Sequence, residues 1–247
     1  MNGHPLLEAR EVTVRFGGLT AVDAVSAAFA PGELVGIIGP NGAGKTTFFN
    51  ALSGVVMPTS GQLYAAGARL TGAGPHRFAQ HGIARTFQTP RVFGDLSVVA
   101  NVDFGLQFAG RRRPAGVLKD AAHILQLIGL QAQASLPAAA ITPSQQRLLE
   151  IGMALATRPR LLLLDEVAAG LTESEVEATA QLIRRLRDDL DLTVIWIEHA
   201  VTTLLRHVER VLVLHQGRKI ADGLPSQVVR NAEVIEAYLG DEMVEAV

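Results

Sequence analysis

The chain has 247 residues, a formal net charge of −2 at pH 7 and 48% hydrophobic residues, enough to build a sizeable α/β core and unlike a disordered chain. It contains no cysteine, which excludes disulfides, thiolate metal sites and cysteine nucleophiles. The charge balance argues against nucleic acid as a partner; no stretch approaches the ~18 apolar residues of a membrane span and no signal peptide opens the chain, so a protein that is not secreted is expected.

Residues 8–16 and 21–29 alternate as half-buried strands joined at Gly17-Gly18. The apolar run Leu34 to Ile38 then enters Gly39-Pro40-Asn41-Gly42-Ala43-Gly44-Lys45-Thr46-Thr47, and the segment from Thr47 to Leu52 leaves it with helical character. Gly61 to Leu70 reads as a short strand pair, and the apolar Ile83 to Phe87 precedes Gln88. Residues 97–108, 117–129 and 144–157 read as helices, with Arg111-Arg112-Arg113 as a solvated turn. The runs Leu161 to Leu164 and Thr193 to Ile197 suit central strands of a parallel sheet covered on both faces, with an amphipathic helix over 172–190 between them. The helical stretch over 90–157 falls between two central strands and reads as an inserted subdomain of one domain, 1–240, followed by a tail, 241–247.

The segment 39–47 fits G-x-x-x-x-G-K-[ST] in the strand–loop–helix setting that this phosphate-binding loop requires. Its glycines let backbone N–H groups curl round phosphate oxygens, and the helix N-terminus adds a favourable dipole. Gly39, Pro40, Asn41, Gly42, Ala43, Gly44, Lys45, Thr46 and Thr47 are therefore the candidate nucleotide-binding residues. Lys45 is placed to reach the β/γ-phosphates and the Thr46 hydroxyl to bind Mg²⁺. Asp165-Glu166 ends the Leu161 to Leu164 strand, and ligands of open α/β sheets sit at the carboxyl ends of strands. Asp165 is expected to hold Mg²⁺ and Glu166 to polarise the attacking water. His199, after the strand Thr193 to Ile197, is placed to meet a γ-phosphate.

Together the loop at 39–47, Ile83-Ala84-Arg85-Thr86-Phe87-Gln88, Leu161-Leu162-Leu163-Leu164-Asp165-Glu166 and Ile197-Glu198-His199 resemble the ATP-binding subunits of ABC transporters over nearly the whole chain. The resemblance implies a P-loop NTPase core of RecA-like α/β type, an antiparallel β-subdomain and an inserted helical subdomain. It implies that Gln88 senses Mg²⁺ and couples to a permease, that His199 is the switch histidine and that Phe16 stacks on adenine. It implies a head-to-tail dimer with a second ATPase subunit, membrane-embedded permease partners, a solute-binding protein acting indirectly, and a place on the cytoplasmic face of the membrane. Ala168-Ala169-Gly170-Leu171 and the ending Val234-Ile235-Glu236-Ala237-Tyr238-Leu239-Gly240 look like the branched-chain and hydrophobic amino-acid importer type.

One departure is informative. The family signature is usually Leu-Ser-Gly-Gly-Gln, whereas this chain has Ile141-Thr142-Pro143-Ser144-Gln145. A helix start survives, with Thr142 as N-cap, Pro143 at the first helical position and Thr142-x-x-Gln145 as a capping box. The resemblance implies that Thr142, Ser144 and Gln145 face the partner's nucleotide, with Ser144 adding a Cβ where glycine has none. Val167 stands where proline is usual, and Thr172 where Asp or Asn is common. The altered signature also motivates a rival reading, a regulatory subunit with weak hydrolysis; a non-transport ABC protein is a further alternative.

Overall fold

The computed structural model describes residues 4–107, 118–198 and 201–244. A six-stranded sheet forms the centre, in the order β10 (Arg218–Gly223), β9 (Arg210–His215), β3 (Leu34–Ile38), β8 (Thr193–Ile197), β7 (Leu161–Asp165) and β6 (Ile83–Arg85). β9, β3, β8, β7 and β6 run parallel, and β10 returns antiparallel to β9. Every residue of β3, β7 and β8 is buried, which is why these strands read as unbroken apolar runs.

Alternate side chains of these strands serve different cores, as a pleat requires. Leu34, Ile38, Leu162, Leu164, Val194 and Trp196 join the cluster containing helix residues such as Leu149, Leu155, Ile183 and Leu204. Val35, Ile37, Leu161, Leu163, Ile195 and Ile197 join the cluster containing Phe48, Phe49, Val12, Val14 and Phe29. The second cluster is closed by an antiparallel four-stranded sheet, in the order β2 (Leu19–Phe29), β1 (Leu7–Phe16), β4 (Ser60–Ala65) and β5 (Ala68–Arg69). β1 and β2 meet at Gly17-Gly18, as expected from the sequence.

Helix α1 (Lys45–Leu52) follows β3, and α2 (Pro75–Gln80) precedes β6. Between β6 and β7 lie α3 (Val98–Gln107), α4 (Ala121–Leu127) and α5 (Pro143–Ala156). The helix expected over 117–129 is shorter because Asp120 caps it, accepting the His123 N–H at 2.8 Å. Arg111 to Arg113 lie outside the described residues. Helix α6 (Glu173–Leu190) joins β7 to β8 and begins with a capping box, Thr172 with Glu175; α7 (Val201–His207) and α8 (Pro225–Val228) follow.

The hairpin β9–β10 is absent from the sequence reading. Its turn, Gln216-Gly217, has φ of 47° and 79°, the pair of positive values that two-residue hairpins favour. Helix α9 (Ala232–Val244) runs past residue 241, where the sequence reading began a tail. Among the described residues no helix is long and apolar enough to cross a membrane.

Candidate functional site

β3 delivers the loop 39–44 to the first turn of α1. Gly39 and Gly44 hold φ of 152° and 92°, and a Cβ at either would overlap a backbone carbonyl oxygen, that of Leu214 and of Ala21 respectively. Both constraints require glycine. The Lys45 side chain is buried and folds back over the loop, its Nζ donating to Gly39 O at 2.6 Å and Pro40 O at 2.8 Å. The β9–β10 turn supports the loop from outside, with Gly217 N–H donating to Ala43 O at 3.0 Å.

The loop opens onto a cleft of about 670 Å³ lined by Phe16, the residues from Asn41 to Thr47, Gln88, Glu166 and Gly217, with Leu19 to Ala21 closing one side. Phe16, expected to stack on a base, stands 52% exposed at its mouth. The cleft therefore gathers residues from β1, the phosphate-binding loop, the segment after β6 and the end of β7.

Glu166 is buried and adopts left-handed backbone, φ 49°, a region sparsely populated by non-glycine residues. Partners among the described residues hold it there. Its N–H donates to Ile197 O at 3.0 Å, Arg147 Nη1 of α5 donates to its carbonyl at 2.7 Å, and Gln88 Nε2 donates to its Oε2 at 2.7 Å. Asp165, one residue earlier, is buried and pairs with Arg85 Nη2 at 3.1 Å. Arg85 also donates to Asn50 Oδ1 and Ser53 Oγ, both at 2.8 Å, tying α1 to the carboxylate strand. Burial pulls the Arg85 guanidinium below its ordinary range, and Asp165 opposes that shift.

Several of these groups carry no motif signal. Arg85 and Arg147 are two of them, because each acts on a partner remote in the chain. Glu198 accepts the Ala168 N–H at 2.7 Å and the Trp196 indole N–H at 3.0 Å, and burial raises its pKa. His199, the next residue, lies outside the described residues.

Thr142, Ser144 and Gln145 do not line the cleft. They form the start of α5, where the expected capping box is complete: Gln145 N–H donates to Thr142 Oγ1 at 3.2 Å and Thr142 N–H to Gln145 Oε1 at 3.0 Å. Ser144 instead borders a groove of about 410 Å³ between α5 and α6.

The family of ABC transporters matches residues 22–169, spanning the phosphate-binding loop, Gln88, the start of α5 and the carboxylate pair. The chain belongs to the ABC transporter ATP-binding family. A further match, to the branched-chain amino acid ATP-binding cassette transporter C-terminal segment, covers residues 218–244 of this ABC cassette. It is 39% identical to the high-affinity branched-chain amino acid transport ATP-binding protein BraF of Pseudomonas aeruginosa, over 96% of this chain and 98% of that one. It is 38% identical to the high-affinity branched-chain amino acid transport ATP-binding protein LivG of Escherichia coli K12, again over 96% and 98%. Among solved structures, the ADP conformation of MJ1267, an ATP-binding cassette of an ABC transporter, superposes with a TM-score of 0.84 at 27% identity, covering 96% of this chain and 99% of that one. The dimeric post-hydrolysis state of the cassette MJ0796, bound to ADP and Pi, gives 0.77 at 25% identity, covering 89% and 98%.

Proposed function

We propose that this ABC cassette hydrolyses MgATP to ADP and phosphate and powers a membrane importer of branched-chain or other hydrophobic amino acids, or related small solutes. The observation that carries the reading is the Gln88–Glu166 contact inside the cleft that the phosphate-binding loop opens onto. The names of the BraF and LivG relatives support the transported class.

In this reading the N–H groups of residues 41–47 and the N-terminus of α1 cradle the phosphates, and Lys45 leaves its carbonyl partners for the β/γ oxygens. Phe16 packs its ring on adenine. Thr46, Asp165 and the Gln88 amide oxygen are hard oxygen donors of the kind Mg²⁺ takes alongside substrate phosphates. When bound, the ion neutralises charge on the β- and γ-phosphoryl oxygens. Glu166 accepts a proton from the attacking water, and Gln88 holds the carboxylate in place for it. His199 meets the γ-phosphate.

Thr142, Ser144 and Gln145 do not line this chain's own cleft, which supports their use on a partner cassette's nucleotide. The MJ0796 cassette, dimeric in its post-hydrolysis state bound to ADP and Pi, supports a pairing of two cassettes. We infer a second, homologous ATPase subunit rather than two copies of this chain, permease subunits that supply the membrane path, and a peripheral position on the cytoplasmic face. The test is ATPase assay of the complex co-purified with its permease, with branched-chain amino acids and their binding protein added. Stimulation by leucine-like solutes is expected. Stimulation by an unrelated solute alone would overturn the substrate class, and absence of any hydrolysis would favour the regulatory reading.

A further inference from the structure

Glu150 lies in the middle of α5 between Leu149 and Ile151, both core residues, and is itself only 6% exposed. A carboxylate there costs desolvation that an apolar side chain would avoid. Both of its oxygens are engaged by the main chain that carries Gln88. Oε2 accepts the Phe87 N–H at 3.2 Å and Oε1 accepts the Arg91 N–H at 3.0 Å, so the carboxylate brackets Gln88 on both sides. The same segment carries two further contacts, the guanidinium groups of Arg85 and Arg91 standing over the Phe87 ring at 4.5 and 4.0 Å from its centroid. Burial pushes the carboxyl up to about 7 against these backbone donors and the two arginines. The charged form that suits two N–H donors is therefore held at a cost in stability.

We propose that Glu150 is the positioning residue for Gln88, clamping residues 87–91 to α5 so that the Gln88 amide stays on Glu166. α5 thereby holds both halves of that contact, since Arg147, three residues earlier, grips the Glu166 carbonyl. A shift of α5 moves Gln88 and Glu166 together. The inference rests on the catalytic reading of Gln88 and Glu166 given above.

The test is a double-mutant cycle in the assembled transporter. Glu150→Gln keeps the shape but turns a donor toward one of the two N–H groups. It is expected to lower kcat about tenfold while leaving KM for ATP within about twofold, because only positioning is lost. In a Gln88→Ala background the same change is expected to alter kcat by less than about twofold. Equal fold losses in both backgrounds, or no loss in either, would overturn the clamp. Should Glu150→Gln fail to fold, Glu150→Asp, one methylene short of bridging both amides, is carried through the same cycle. Amide exchange in the full chain gives a readout independent of catalysis: protection at Phe87 and Arg91 is expected to fall at least about tenfold on substitution, and unchanged protection would also overturn the clamp. Wild-type turnover by Glu166→Gln in the same complex, with protection lost as expected in the Glu150 variant, would overturn the catalytic reading and leave the clamp standing.

Discussion

Gln88 Nε2 donates to Glu166 Oε2 at 2.7 Å, and the parallel pairing of β6 with β7 brings the two residues together. Arg85 lies opposite Leu163 in that ladder. Gln88 is three residues beyond the first (88 − 85 = 3), and Glu166 three beyond the second (166 − 163 = 3). Two segments of unrelated sequence thus present an amide and a carboxylate at the same height above the sheet.

Glu166→Gln is expected to cut turnover by about 10²–10⁴-fold, the scale of a lost general base. The substituted amide still offers an oxygen to Gln88, and Lys45, Thr46 and Asp165 are untouched, so ATP affinity is expected to stay near wild type. Single-turnover hydrolysis together with nucleotide binding checks both halves, and a wild-type rate would remove Glu166 from this role.

Gly44→Ala adds a Cβ at φ 92° against the Ala21 carbonyl oxygen, and strain of about 1–3 kcal/mol at this position corresponds to roughly 5–150-fold in ATP affinity if the loop must distort to bind. Gly42 also has positive φ, 74°, but a Cβ there meets nothing within 4 Å. Gly42→Ala is therefore expected to be the milder change. Titration of both variants with ATP checks the order, and equal losses would mean that φ alone matters.

Glu150 gives a pH signature in stability. Its carboxyl is raised from 4.5 to about 7 in the folded chain, so between those values the folded state keeps a proton that the unfolded state has lost. Stability from this group is full at low pH and declines as pH rises to about 7, by at most about 3 kcal/mol. Arg85 and Arg91 face the carboxylate and limit the effect. Urea unfolding of wild type and Glu150→Gln between about pH 4 and pH 8 is expected to show wild type losing ground as pH rises. A pH-independent difference would contradict this.

The altered signature is expected to weaken the site that uses it. Pro143 has no N–H and Ser144 has a Cβ where the common signature has glycines, and losing one hydrogen bond to a charged group costs about 1.5–3 kcal/mol. Pro143→Gly with Ser144→Gly, assayed in the complex, is expected to raise ATPase activity when the partner's P-loop lysine is intact and to leave it nearly unchanged when that lysine is removed. No rise in the first case, with folding and assembly normal, would mean that the departures are neutral.

What could be read directly in the chain was local. The loop from Gly39 to Thr47 declares itself because its glycines, lysine and threonines are contiguous and flanked by a strand and a helix. The cap of α5 was legible for the same reason, since Thr142 and Gln145 bond each other three residues apart. The runs at Leu161 and Thr193 announced buried strands because both of their faces are covered. The hairpin β9–β10 passed unread although Val211 to Leu214 is such a run, because short apolar runs do not by themselves distinguish strand from helix.

The contacts that shape the site lay beyond such reading. Arg85 meets Asp165 across 80 residues, Glu150 meets Phe87 across 63, and Arg147 reaches Glu166 across 19. No spacing rule links these pairs. They form because strand register levels β6 with β7 and because α5 packs beside both strand ends. Local pattern specifies backbone conformation through neighbours three or four residues apart. The partners of a buried charge are settled by how whole elements pack, and there Glu150 and Arg147, ordinary helix residues in the sequence, become the supports of Gln88 and Glu166.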